Sequence, residues 1–104
     1  MMNPHRGEVA ITLNGETRPM RLTLGALASL EHDLGEDSLL ALIERFEQGH
    51  FRTDDIVRLL YAGLAGAGWD GAQSDLLSAN IDGGPMAAAK AAGRLLKLSF
   101  GPVE

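Results

Sequence analysis

Residues 8–22 read Glu8-Val9-Ala10-Ile11-Thr12-Leu13-Asn14-Gly15-Glu16-Thr17-Arg18-Pro19-Met20-Arg21-Leu22, and this stretch decides the fold. Alternating residues flank Asn14-Gly15, the dipeptide that favours a two-residue type I′ turn, so a β-hairpin is expected. With that turn, Leu13 faces Glu16, Thr12 faces Thr17, Ile11 faces Arg18, Ala10 faces Pro19, Val9 faces Met20 and Glu8 faces Arg21. The register is self-consistent. It gathers Val9, Ile11, Leu13, Met20 and Leu22 on one face and leaves the Glu8/Arg21 charges and the Thr12/Thr17 pair on the other. Pro19 falls at a non-hydrogen-bonded pair with its missing N–H on the outer side, which predicts an edge strand. A hairpin alone is marginal in water, so its apolar face must lie on helices or pair with another chain.

After Thr23 the periodicity is helical. Leu24 to Leu34 places Leu27, Leu30 and Leu34 on one side, with Thr23 as N-cap and Gly35 past the end. Ser38 to Gln48 repeats the pattern with Leu39, Leu42, Ile43 and Phe46, and Gly49 stops it. A third helix is expected from Thr53 as N-cap, with Asp54 and Asp55 in a first turn where the dipole favours acids. The glycine-rich Gly66-Ala67-Gly68-Trp69-Asp70-Gly71 then precedes a short helix, capped by Asp70 and Gln73, with Leu76, Leu77 and Ile81 inward. Pro85 launches a last helix from Met86 to about Ser99. The expected class is α+β, mainly α: one domain over 1–104, with a β-hairpin at 7–23 packed on about five helices in 24–104.

A chain of 104 residues with 45% hydrophobic and 22% charged residues is long enough for one small core and too apolar for wholesale disorder. The absence of cysteine excludes disulfides, thiol catalysis and Cys-based zinc sites. Met1-Met2-Asn3-Pro4-His5-Arg6 lacks a signal peptide's apolar segment, and the longest uncharged run, Leu59 to Trp69, is too short to span a membrane. A cytoplasmic protein is expected. The net charge of −5 opposes binding to phosphate backbones, so nucleic acid is not an expected partner. The charge is segregated: residues 31–55 carry eight acids against Arg45 and Arg52, whereas Lys90, Arg94 and Lys97 face only Glu104 near the end.

Signals for chemistry are weak. Gly66 to Gly71 matches G-x-G-x-x-G, yet it follows a helix and no acid lies about twenty residues on, so a loop is expected and not a dinucleotide site. His5, His32 and His50 make no H-x-x-x-H or H-E-x-x-H spacing, and no serine has a G-x-S-x-G context. No metal, cofactor or catalytic residue is expected, and the chain is not expected to be an enzyme. The last helix is different. Its run of alanines and Gly93 lets another helix approach closely, and Leu95, Leu96, Leu98 and Phe100 cannot all face one core. Lys90, Arg94, Leu96, Lys97 and Phe100, with Trp69, are the candidate partner-binding residues, and Leu96→Asp with Phe100→Asp is the expected way to abolish capture while keeping the fold.

Several blocks carry a resemblance: Asn3-Pro4-His5-Arg6-Gly7-Glu8-Val9, Leu22-Thr23-Leu24-Gly25-Ala26-Leu27 running to Leu30-Glu31, Leu42-Ile43-Glu44-Arg45-Phe46, and Gly83-Gly84-Pro85. Together they resemble the tail assembly chaperones of gene transfer agents and related tailed phages, nearly end to end. The resemblance implies a small cytoplasmic protein that binds the tape-measure protein, helps tail-tube subunits assemble around it, and is absent from the finished particle. Homo-oligomers are compatible with it. The alternatives are a small structural tail or connector component retained in the particle and, less well supported, a transcriptional or toxin-antitoxin adaptor.

Overall fold

The computed structural model describes residues 8–35 and 38–100 and holds, among them, two strands and five helices, an α+β architecture that is mainly α. Strands β1 (Glu8–Leu13) and β2 (Glu16–Arg21) pair antiparallel in the register the alternation predicts, from Leu13↔Glu16 out to Glu8↔Arg21. Asn14 at φ 50° and Gly15 at φ 83° are both left-handed, as a type I′ turn requires. Val9, Ile11, Leu13 and Met20 are buried on the inner face. Outside, the Thr12 and Thr17 hydroxyls lie 3.0 Å apart and Arg21 reaches Glu8 at 3.5 Å.

The edge is arranged differently from the hairpin read in isolation. Leu13 forms a bridge to Ile81: the Asn14 N–H donates to the Asn80 carbonyl at 2.8 Å, the Asp82 N–H to the Thr12 carbonyl at 3.1 Å, and the Asn80 N–H to Asn14 Oδ1 at 2.8 Å. A segment far along the chain thus closes the turn end of the β1 edge, satisfying groups that would otherwise invite a foreign strand. Ile81 belongs to this bridge and not to a helix, a correction of the expectation. Helix α4 is only Gln73–Leu77, and its start is closed by the Asp75 carboxylate accepting from the Ala72 N–H at 2.8 Å, in place of the expected Asp70/Gln73 pair.

Two of the helices begin where a side-chain oxygen can satisfy a free N–H group. Helix α1 (Leu24–Leu34) is capped by Thr23 Oγ1, which accepts from the Ala26 N–H at 3.0 Å; helix α2 (Leu39–Gln48) is capped by Ser38 Oγ, which accepts from Ala41 at 3.0 Å. Helix α3 (Thr53–Gly66) starts one residue away from the expected cap: Arg52 holds that position and Thr53 is already helical. Helix α5 (Gly84–Phe100) is preceded by Gly83 and opens on Gly84, at φ 86° and 72°, and Pro85 supplies its first locked helical φ. Because the Thr23 cap is half-buried, Thr23→Ala should cost about 1 kcal/mol, read as a shifted urea midpoint with unchanged slope.

The core is a single cluster of buried side chains in which the hairpin's inner face lies on α3 and α5, and α1 packs on the other side of α3. Leu59, Leu60 and Leu64 of α3, Leu95 of α5 and Met20 of β2 are no more than 2% exposed. Each such side chain contributes on the order of 2 kcal/mol by leaving water. Helix α2 is attached sparsely. It buries only Leu42, and this loose seat leaves a depression between α2 and the second half of α5.

Candidate functional site

The depression is lined by Ile43, Phe46 and Glu47 of α2 and by Gly93, Leu96, Lys97 and Phe100 of α5, with a volume near 420 Å³. Ile43 and Phe46 supply an apolar wall because they stand three apart on α2, beside the buried Leu42. Phe46 is held by Phe51, whose ring stacks on it with centroids 4.7 Å apart and planes inclined by 12°. Across the gap, Gly93 carries no side chain, so the floor is open there; the nearest atom a Cβ at Gly93 would meet is Phe46 Cδ2 at 3.8 Å. The rims are charged. Lys97 rises from α5 with Lys90 and Arg94 at i, i+4 and i+7 spacing on its exposed side, and Glu47 rises from α2 with Glu44 one turn before it. None of these five makes an ion pair among the described residues.

The candidate partner residues separate on this geometry. Lys90, Arg94 and Lys97 are exposed, and Phe100 is 43% exposed. Leu96 is 4% exposed and belongs to the core cluster, touching the depression only as its floor. That changes the expected use of Leu96→Asp. A carboxylate there would be buried without a partner, so the substitution reports on folding, whereas Phe100→Asp changes the surface alone. Trp69 lies elsewhere: it packs edge-on against Tyr61, centroids 6.4 Å apart at 74°, and lines a separate hollow with Asn14, Arg18 and Asp75 beside the hairpin turn. Gly71 makes room for its indole, since a Cβ at that position would run into the ring. Leu98 at 50% and Met86 at 71% exposure are apolar surface on α5 that the candidate set did not include.

One buried polar group escaped the sequence reading. Asp54 is exposed, but Asp55 is 0% exposed, and its carboxylate accepts from Arg45 Nε at 3.0 Å, from Arg45 Nη2 at 2.9 Å and from the Arg52 N–H at 2.8 Å. Burial pushes its pKa up, but the two-pronged Arg45 contact and the Arg52 N–H outweigh burial and hold the carboxyl below its ordinary value. Its role joins capping to fastening α2 to the start of α3. The only signal in the sequence was an acid at the third position of a helix, which capping alone explains.

Nothing in this arrangement forms a catalytic constellation. His32 and His50 are exposed at helix ends, His5 lies outside the described residues, and no group of three or more His, Asp or Glu side chains able to hold a metal occurs among the described residues. The glycine-rich stretch from Gly66 follows α3, as read, and ends on the Trp69 shelf. No described helix is long and apolar enough to cross a membrane. A depression with an apolar floor and rims of opposite charge suits another polypeptide surface better than a small molecule.

In comparison with known families, a family model described as phage tail tube protein, GTA-gp10, matches residues 6–101. No curated protein and no solved structure matches the chain. The match supports a gene transfer agent or phage tail origin and corrects the expectation of a tail assembly chaperone, because the description is that of a tube protein. The blocks that carried the chaperone resemblance are turn, cap and core residues, such as Thr23, Leu42 and Pro85. They specify a fold and hold nothing that separates a transient helper from a component that stays.

Proposed function

The chain belongs to the family of phage tail tube proteins, GTA-gp10, and from that premise we propose that it is a structural component of a tail, retained in the finished particle and acting through protein contacts without catalysing a reaction. The family match over 6–101 is the observation that carries this reading. Exposed apolar side chains on α2 and α5, Leu40, Leu98 and Phe100, beside exposed charges are the kind of surface such contacts use. Its partners in this reading are other tail components assembled in the cytoplasm, the tape-measure protein among them. The net charge of −5 disfavours adhesion to nucleic acid.

Mass spectrometry of purified particles tests the proposal directly. The chain is expected at a stoichiometry comparable with the other tail proteins, and its deletion is expected to leave particles without complete tails. Loss of the chain from purified particles, with tails still formed only in its presence during assembly, would overturn the structural reading.

A further inference from the structure

The depression between α2 and α5 carries an acidic side chain on one side, Glu47, and a basic one on the other, Lys97. Glu44 lies one turn before Glu47 on α2, and Lys90 and Arg94 precede Lys97 on α5; all five are exposed and without ion-pair partners among the described residues. Between the rims lies apolar surface that is only partly covered: Ile43 and Phe46 are half-buried and Phe100 is 43% exposed, with Leu40 at 65% one turn along α2. From these features we propose that the depression is the contact surface of a symmetric homodimer, covered by the same surface of a second copy.

The charge pattern selects this occupant. An isologous contact joins one patch to itself through a two-fold axis lying in the contact plane. When that axis runs along the groove, rotation carries the basic rim of one copy over the acidic rim of the other, so Lys97 of each meets the Glu47 side of its neighbour. The apolar floors then face each other. An axis across the groove would set like charge on like charge, so orientation is fixed by the same residues. The chain therefore carries both halves of its complement, and no other polypeptide is needed to account for them. The surface is accessible because α2 sits sparsely on α5 and Gly93 leaves the floor without a side chain. The contact closes after two copies and cannot by itself extend a tube, so it is independent of the proposed place in the tail.

Charge-swap complementation tests the dimer. Glu47 and Lys97 are exposed, so Glu47→Lys and Lys97→Glu leave the fold intact, checked by circular dichroism. In sedimentation equilibrium the wild-type chain is expected as a monomer–dimer equilibrium, and each variant alone is expected to dissociate at least about tenfold more readily, since both symmetry-related contacts between positions 47 and 97 become repulsive. An equimolar mixture of the two variants is expected to restore wild-type dimerisation, because both Glu47/Lys97 contacts are then attractive again, with their signs exchanged in one of them. If positions 47 and 97 met only within one and the same chain, mixing the two variants would rescue nothing. Phe100→Ser is expected to weaken the dimer through the floor without changing the charges. A wild-type chain that stays monomeric at every concentration, single variants that dimerise normally, or a mixture that fails to recover would each overturn the proposal; so would larger oligomers unaffected by the swaps.

Discussion

Asp55→Ala should destabilise the protein by about 3 kcal/mol, more than any exposed substitution, because it strips one partner from a buried ion pair and opens a helix terminus together. The carboxylate is 0% exposed and accepts three hydrogen bonds, two from Arg45 and one from the Arg52 N–H. After truncation the Arg52 N–H at the start of α3 loses its acceptor, and α2 loses its polar fastening to α3. Arg45 is 22% exposed, so its head can partly turn to water, which keeps the loss at the lower end of that for buried pairs. Asp55→Asn retains an acceptor for Arg52 and should cost less. The measurement is chemical denaturation followed by circular dichroism, and a loss below about 1 kcal/mol would refute the assigned role.

The same residue sets an acid dependence. Its folded pKa lies below the unfolded value, so the folded state binds the proton less readily. The stabilisation is therefore fully present above the unfolded carboxyl's ordinary range, near 4, and drains away as pH falls through it towards the folded pKa. Arg45→Met removes the principal cause of the lowering and should flatten that part of the stability curve.

Gly66→Ala should cost about 2–3 kcal/mol, a fall in Tm of roughly 10–20 °C for a domain of this size. A Cβ at Gly66 would run into the Arg21 carbonyl oxygen and come within 3.3 Å of Ala26 Cβ. The obstacle is backbone at the end of β2, which has no rotamer to adopt, so α3 must move off the hairpin. Gly63→Ala meets Leu95 Cδ1 at 2.7 Å, which can rotate away, and Met20 Cβ at 2.9 Å, which can move only with its strand; the approach is less close than the backbone clash at Gly66, so the penalty should be smaller. Gly25→Ala is the informative contrast. It lies exposed within α1 with only Thr23 Oγ1 at 3.9 Å, and should stabilise by about 0.5 kcal/mol through helix propensity. Opposite signs for Gly25 and Gly66 in the same thermal assay would establish that close approach, and not propensity, fixes the glycine at 66.

The amino-acid sequence by itself determined the hairpin, its register and turn, the course of α1 and α2 to within a residue, and the Thr23 cap. These depend on alternation, on the left-handed preference of Asn14-Gly15, and on a hydroxyl one residue before an apolar run, all interactions within a few positions along the chain. Only the tertiary structure decided that Leu96 is core while Leu98 and Phe100 are surface, that Ile81 completes the β1 edge, and that Asp55 answers Arg45. Helical spacing left all three outcomes open: α5 is apolar around most of its circumference, and which side is covered depends on where α3, the hairpin and α2 come to rest. The depression with its opposed rims has the same origin, since its two walls come from helices whose meeting no local pattern specifies.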